Sequence, residues 1–200
     1  MTHRIRYAMT PNHWAIPKLT GTVEVDETFV GGKGEHATKS QRHTPVVALV
    51  QRDGPARVKV LATVTQKNLG QCLNECVDKS AVINTDEHPA YRQPAKQYKA
   101  HHAVNHSKYE YHRKNKDGSI ATTNSAESFF SLLKRGVYGS WHHVSPEHLP
   151  KYANEFAFRW THRKVTDGER MGEFMPMATG KRMTYRKPKV GCGLLIRERF

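Results

Sequence analysis

The spacing of apolar residues predicts strands in the first part of the chain. Residues 22–30 alternate between polar and apolar positions, as in a strand with one buried face. The polar face carries Glu24, Asp26 and Thr28, and the apolar face carries Val23, Val25 and Phe29. Two further β-rich runs, at 44–52 and 56–64, flank an Asp-Gly-Pro turn, which indicates an antiparallel hairpin.

Helices and short strands alternate in the remainder of the chain. A helix is predicted at 68–80 with Asn68 as its N-cap, and a short buried strand at 81–85 leads directly to Asp86. The elements that follow are a short helix interrupted at Pro94, a strand at 100–107, a polar loop at 113–123 and helices at 124–136 and 146–163. The order βββαβαβα predicts an α/β domain built on a mixed sheet.

The helix predicted at 124–136 is amphipathic. One face carries polar residues at helical spacing, namely Asn124, Glu127, Ser131 and Lys134. The opposite arc is apolar and carries Phe129, Phe130, Leu132 and Leu133. This layout suits a helix that packs through its apolar side and presents Glu127 to a metal and Lys134 to a phosphate. A solvated charged face explains the same pattern equally well when the helix is considered alone.

Three acidic residues are candidates for a metal site. Asp26 and Asp86 each follow a β-rich run, although Asp is a poor strand former, and each precedes a Glu. One such Asp is commonly a turn or cap residue, but two of them with the helical Glu127 form a set of hard oxygen ligands suited to two Mg²⁺ or Mn²⁺ ions. Because adjacent side chains on a strand point to opposite faces, we expect Glu27 and Glu87 outside this ligand set.

The chain is strongly basic, with 32 Lys and Arg against 18 Asp and Glu and a formal charge of +14. A nucleic acid is the expected partner, because neutralising phosphates releases condensed counterions. A basic surface without function, or a ribosome-associated protein, also fits the charge alone. Three cysteines without a CxxC pair predict neither a disulfide framework nor a zinc ribbon. The sequence contains no window typical of a membrane span and no secretory signal, so a cytoplasmic location is expected.

The thirteen histidines do not show the spacing of a zinc site, and structural or DNA-contacting roles are expected for them. His142 lies eight residues after Lys134 and is expected near the reacting phosphate. The last predicted helix carries a polar stripe that is expected to face solvent or DNA. Glu155, which belongs to this stripe, is a further candidate for supporting the metal site.

Six segments of the chain match the motifs of one family: VEVDETFVGGK (23–33), INTDEHPAY (83–91), VNHSKYEY (104–111), TNSAESFFSLLKRGVYGSWHHVS (123–145), NEFAFRWTHR (154–163) and GKRMTYRKP (180–188). From about residue 18 to residue 188 the chain resembles the catalytic domain of bacterial DDE transposases of the IS1595 type, the group called ISXO2-like. The resemblance implies a ribonuclease H-like fold in which the first strand supplies Asp26, the fourth strand Asp86 and a later helix Glu127. Lys134 matches the basic residue that is usual seven positions after the Glu.

The activity implied by this resemblance is metal-dependent DNA cleavage followed by strand transfer. Hydrolysis exposes the 3′ end of an insertion sequence, and that end then attacks target DNA. Asp26 would bridge two ions flanked by Asp86 and Glu127, and Asn124 is the rival for the third position because some relatives place Asn there. The residues expected to hold DNA are Lys134, Arg135, Lys33, Lys108, Arg113 and His142. The implied partners are transposon ends, target DNA and further copies of the chain, in the bacterial nucleoid.

The resemblance and the composition together divide the chain into a basic arm or linker at 1–20, a ribonuclease H-like catalytic domain at 21–164 and a basic tail at 165–200. The chain departs from the family pattern at Thr122-Thr123-Asn124 and at Arg159-Trp160-Thr161. Relatives carry a Cys-rich zinc-ribbon segment upstream, whereas this sequence begins almost at the catalytic domain. Two alternatives therefore stay open: a ribonuclease H-like nuclease that never joins strands, and a truncated, non-catalytic DNA-binding remnant.

Overall fold

A five-stranded mixed sheet forms the centre of the protein. The computed structural model describes residues 2–11, 16–31, 43–104, 113, 114, 118 and 120–181. The sheet consists of β1 (Thr22–Val30), β2 (Thr44–Gln51), β3 (Ala56–Val60), β4 (Val82–Thr85) and β5 (Ala100–Ala103), in the order β3-β2-β1-β4-β5. Strands β1, β2 and β3 pair antiparallel, whereas β1, β4 and β5 run parallel. A separate ribbon pairs β6 (Arg113–Lys114) with β7 (Ile120–Ala121).

Helices cover both faces of this sheet. The described part of the chain contains α1 (Thr2–Ala8), α2 (Gln66–Cys76), α3 (Asn124–Arg135), α4 (Leu149–Thr161) and α5 (Asp167–Ala178). Two 3₁₀-helices, Pro89–Tyr91 and Pro94–Gln97, follow β4, and a π-helix, Gly136–Trp141, continues α3. One face of the sheet packs against α3 and α4, and the other packs against α2 and the first 3₁₀-helix.

Strand β2 is buried on both faces, which explains its nearly unbroken apolar run. Val46, Ala48 and Val50 belong to the core cluster beneath α3 and α4. Val47 and Leu49 belong to the cluster beneath α2. Alternate positions of one strand thus supply apolar surface to both layers of helices.

The mixed sheet flanked by helices confirms the predicted α/β, ribonuclease H-like class, but several local predictions were wrong. The segment 113–123, predicted as a loop, contains β6 and β7. Thr65 caps α2 in place of Asn68, because the helix begins at Gln66 and the Thr65 hydroxyl accepts the Asn68 N–H at 3.2 Å. Phe29 is 51% exposed, because β1 there extends beyond the end of β4. Leu132 is also exposed, because the buried side of α3 is narrower than predicted and consists of Ala126, Phe129, Phe130 and Leu133.

Both terminal segments contain a helix. The segment predicted as a basic arm includes α1, and the segment predicted as a basic tail includes α5. Helix α5 begins with a capping box, in which the side chains of Thr166 and Glu169 each accept the backbone N–H of the other residue. The domain boundaries at residues 20 and 164 stay predictions.

Glu155 lies in the interior and joins α4 to α1. Its two carboxylate oxygens accept hydrogen bonds from Arg6 and Arg159, each at 2.6 Å, and only 5% of the residue is exposed. The guanidinium of Arg6 also lies over the rings of Trp141 and Tyr152. Glu155 therefore anchors the N-terminal helix, and the predictions that it faces solvent and supports the metal site were wrong.

None of the helices in the described part of the chain combines the length and the apolar character that crossing a bilayer requires.

Replacing Gly136 with alanine is expected to lower the free energy of unfolding by about 1–3 kcal/mol relative to the Gly139→Ala variant. An added Cβ would overlap two ring carbons of Phe156 on α4, and this overlap outweighs the gain of about 1 kcal/mol in helix propensity. Gly139→Ala is the matched control, because a Cβ there meets no atom within 4 Å. Urea denaturation of both variants measures the difference, and equal stabilities would contradict close packing of the start of the π-helix on α4.

Candidate metal centre

Two of the predicted acids meet at one edge of the sheet. Strands β1 and β4 pair in parallel up to Val25 and Thr85, and Asp26 and Asp86 are the next residues along the chain. Carboxylate oxygens of Asp26, Glu27 and Asp86 lie within 4.8 Å of one another. Residues at the carboxyl ends of adjacent parallel strands share one edge of a sheet, so the register of β1 against β4 brings the two Asp residues together.

Glu27 belongs to this cluster, contrary to the expectation that it points away. Strand β4 ends at Thr85, so β1 loses its parallel neighbour from Asp26 onward and continues in pairing with β2 alone. Because none of the described strands lies beside β1 on that side, side chains from both of its faces can approach Asp86. The Tyr91 hydroxyl donates to Glu27 Oε2.

Tyr91 was not identified from the sequence as a site residue. It is fully buried in the first 3₁₀-helix, and its hydrogen bond to Glu27 joins this helix to β1. The sequence places Tyr91 five residues after Asp86, in the segment that follows β4, and this position is the signal from which it could be predicted as a site residue. A short turn after a site residue brings its own side chains back to the same edge.

Backbone hydrogen bonds orient the two aspartates. Asp26 Oδ1 accepts the Glu27 N–H at 2.8 Å, and an oxygen of Asp86 accepts the His88 N–H at 3.1 Å. The Thr85 hydroxyl donates to the Asp86 carbonyl at 2.7 Å and lies 2.9 Å from His101 Nε2. These bonds limit the rotamers of both carboxylates, which is the preorganisation that a metal site requires.

The carboxylates of the cluster are crowded and partly desolvated. Burial raises the pKa of Asp26 to about 7, with further upward contributions from the negative charges of Asp86, Glu27 and Glu127. Burial also raises the pKa of Glu27, although the hydrogen bond from Tyr91 opposes this shift. A divalent cation would relieve both the desolvation and the repulsion. The donor set, which consists of hard carboxylate oxygens, fits Mg²⁺ or Mn²⁺.

Glu127 lies in the first turn of α3 and is exposed. Its charge contributes to the raised pKa of Asp26, and its Oε1 accepts the Thr123 hydroxyl at 3.3 Å. Among the described residues, the group of acids with oxygens within 4.8 Å of one another contains Glu27 and not Glu127. Asn124, the alternative third ligand, is exposed at the start of α3.

The predicted DNA-contacting residues lie on the surface where the structure describes them. Lys134 and Arg135 are exposed at the end of α3. His142 is exposed just after the π-helix, and Arg113 is exposed in β6. Lys33 and Lys108 lie outside the described residues.

Comparison with known proteins identifies the family of the chain. The family model described as the ISXO2-like transposase domain matches residues 18–161, which include every strand of the central sheet together with Asp26, Asp86 and Glu127. No curated protein matches the chain at a significant level. The family match covers well over half of the 200 residues. The chain therefore belongs to the ISXO2-like family of DDE transposase domains.

Proposed function

We propose that the chain is a DNA transposase that cleaves the ends of an insertion sequence and transfers the freed strand into target DNA. The observation that carries this proposal is the meeting of Asp26 and Asp86 at one sheet edge, close enough to Glu127 for its charge to act on Asp26. Membership of a transposase family indicates DNA as the substrate class. Assembly of several copies on paired DNA ends, in the bacterial nucleoid, is part of the same proposal.

Asp26, Asp86 and Glu127 are proposed as the residues that would hold divalent metal, two Mg²⁺ or Mn²⁺ ions. Such ions, when bound, activate a water or a 3′-hydroxyl as the nucleophile and stabilise the leaving oxygen. Glu27 adds negative charge beside the ligands while Tyr91 holds its carboxylate, so we assign it a supporting role. Asn124 stays the alternative to Glu127 as third ligand.

Exposed basic residues near α3 are proposed to hold the DNA backbone. Lys134 follows Glu127 by seven residues, which is about 10 Å along the helix axis. A phosphate bound by Lys134 would therefore lie within a few nucleotides of DNA held at the carboxylates. Arg135, Arg113 and His142 are proposed to contact neighbouring phosphates. Contacts of this kind position the duplex without reading its bases. Lys33 and Lys108 stay predictions from the sequence.

Two other functions fit part of the same geometry. A ribonuclease H-like nuclease would use the same three acids for hydrolysis and would not join strands. A DNA-binding remnant without catalysis would need neither the metal site nor its preorganisation. The hydrogen-bonded, crowded carboxylates favour an enzyme over the remnant, because such a cluster destabilises the apo-protein unless a cation binds.

Asp26→Asn and Asp86→Asn are each expected to lower metal-dependent DNA cleavage at least about 100-fold while the fold stays intact, because each removes a charged ligand. Asp53→Asn is the control, since Asp53 is exposed in the β2–β3 turn and an Asn tolerates its positive φ of 58°. Cleavage of a labelled transposon-end duplex in Mg²⁺ measures the rates. Wild-type rates for the Asp26 or Asp86 variants would reject the metal-site assignment.

The stability of the metal-free protein is expected to depend on the ionisation of Asp26. Its folded-state pKa of about 7 lies above the usual 3.8, so between these values the folded state binds more protons than the unfolded state. The contribution of Asp26 to the free energy of unfolding is therefore lost as pH rises toward 7. Relative to Asp26→Asn, the wild type is expected to lose up to about 4 kcal/mol between pH 4 and pH 8 in EDTA, because a difference of one pKa unit corresponds to about 1.4 kcal/mol.

Mg²⁺ is expected to restore this stability at pH 8 and to have little effect at pH 5, because protons compete with the metal for the same carboxylates. Urea titrations with EDTA and with Mg²⁺ at the two pH values measure both effects. The account is contradicted if wild type and Asp26→Asn show the same pH dependence.

A strand-transfer assay separates the proposed transposase from a nuclease. Duplexes that already carry an exposed 3′-hydroxyl at the transposon end are mixed with plasmid target DNA, Mg²⁺ and the protein. A transposase is expected to yield end–plasmid joint molecules that disappear in the Asp26→Asn variant, because joining uses the same metal centre as cleavage. Cleavage without any joint product would instead identify the nuclease.

A further inference from the structure

Glu24 is fully buried on β1, two residues before Asp26 and on the same face of the strand. One carboxylate oxygen accepts the backbone N–H of Ser125 at 2.7 Å. The other accepts hydrogen bonds from Arg52, at 3.0 Å from Nη2 and 3.3 Å from Nε. A buried carboxylate with this set of partners is fully engaged, and it links the central strand to the beginning of α3.

The bond to Ser125 supplies a helix cap from outside the helix. The first N–H groups of a helix have no partner within it and need an external acceptor. Thr123 occupies the N-cap position of α3, but its side chain makes no cap hydrogen bond and donates instead to Glu127 at 3.3 Å. The Glu24 carboxylate takes the place of that cap, and its negative charge suits the positive end of the helix dipole.

The segment that leads into α3 is held from two further points. Arg52, at the end of β2, donates to the Ile120 carbonyl at 3.0 Å while it binds Glu24. Asn84, the neighbour of Glu24 on β4, donates to the Thr122 carbonyl at 3.4 Å. The strands that deliver Asp26 and Asp86 therefore each bind the segment that delivers Glu127.

We propose that Glu24, together with Arg52, is a positioning residue that fixes the first turn of α3 so that Glu127 meets the metals held by Asp26 and Asp86. This inference rests on the proposed metal-dependent function. Glu24 itself does not bind metal or DNA, because Ser125 and Arg52 occupy its oxygens. A misplacement of about 1 Å in a catalytic group commonly costs about 100-fold in rate, so a loosened first turn acts on catalysis more than on the fold.

Glu24→Gln tests the proposal, because it keeps the size of the side chain and removes the charge and one acceptor. The rate constant for cleavage at saturating DNA is expected to fall at least about 10-fold, with the KM for DNA unchanged. Glu155→Gln is the matched control, since Glu155 is also a buried carboxylate bonded to two groups, but it joins α4 to α1. Glu155→Gln is expected to lower the free energy of unfolding, measured in urea, by about as much as Glu24→Gln does. Its rate constant for cleavage is expected to equal that of the wild type.

A second variant covers the case in which Glu24→Gln does not fold. Arg52→Lys keeps the positive charge on a partly exposed side chain, but a lysine cannot bridge Glu24 and Ile120 in the same geometry. Its cleavage rate constant is expected to fall by a smaller factor, about 3-fold to 10-fold, again with an unchanged KM. Wild-type cleavage by Arg52→Lys and by any folded Glu24→Gln protein would overturn the proposal.

Mn²⁺ affinity of the full chain separates failure of this inference from failure of the proposed function. If Glu24 acts through Glu127, Glu24→Gln and Glu127→Gln each weaken Mn²⁺ binding, and the double variant binds no more weakly than Glu127→Gln alone. Unchanged Mn²⁺ binding and cleavage in Glu127→Gln would reject Glu127 as a ligand, and with it the proposed site. Suppose instead that Glu127→Gln weakens Mn²⁺ binding. If Glu24→Gln then has no effect on Mn²⁺ binding, or weakens it further in the double variant, only the positioning role is rejected.

Discussion

Parallel pairing of β1 with β4 ends at Val25 and Thr85, and the geometry of the candidate site depends on where it ends. The two strands deliver Asp26 and Asp86 to one edge, and the loss of the neighbouring strand opens that edge to Glu27 as well. The register is maintained by a core packed on both faces of the sheet, so a shift of one residue would move every side chain to the wrong face. The same core packing therefore determines both the stability of the sheet and the position of the acids.

A strongly basic chain contains a centre whose carboxylates repel one another. The net charge of +14 attracts a polyanion to the surface, whereas burial and neighbouring acids hold the pKa of Asp26 near 7. Glu24 shows the other way to accommodate a buried acid on the same strand, since Arg52 and the start of α3 compensate its charge. The charge of Glu24 is thus compensated by Arg52, whereas Asp26, two residues further along β1, lies among other acids.

The β-rich runs before Asp26 and Asp86 predict strands there, and the register of β1 against β4 brings the two residues together where β4 ends, although β1 itself continues to Val30. Their role as metal ligands stays a prediction. The sequence does not predict that Glu27 joins the cluster, because this depends on where β4 ends: beyond Thr85 no strand of the described chain lies between the two faces of β1 on that side, so Glu27 also reaches Asp86. Spacing alone does not distinguish Glu24 from the other polar positions of β1, because its partners, Arg52 and Ser125, are distant in sequence. Long-range partners of this kind cannot be deduced from spacing along one chain.

The central claim is that Asp26 and Asp86 hold divalent metal for DNA cleavage and joining. A crystal soaked in Mn²⁺ at pH 8, with data collected at the manganese absorption edge, tests it most directly. The account predicts an anomalous peak about 2.0–2.2 Å from carboxylate oxygens of both Asp26 and Asp86. It also predicts a carboxylate of Glu127 turned toward that peak. Crystals that bind manganese elsewhere, or that show no peak between the two aspartates, would contradict it.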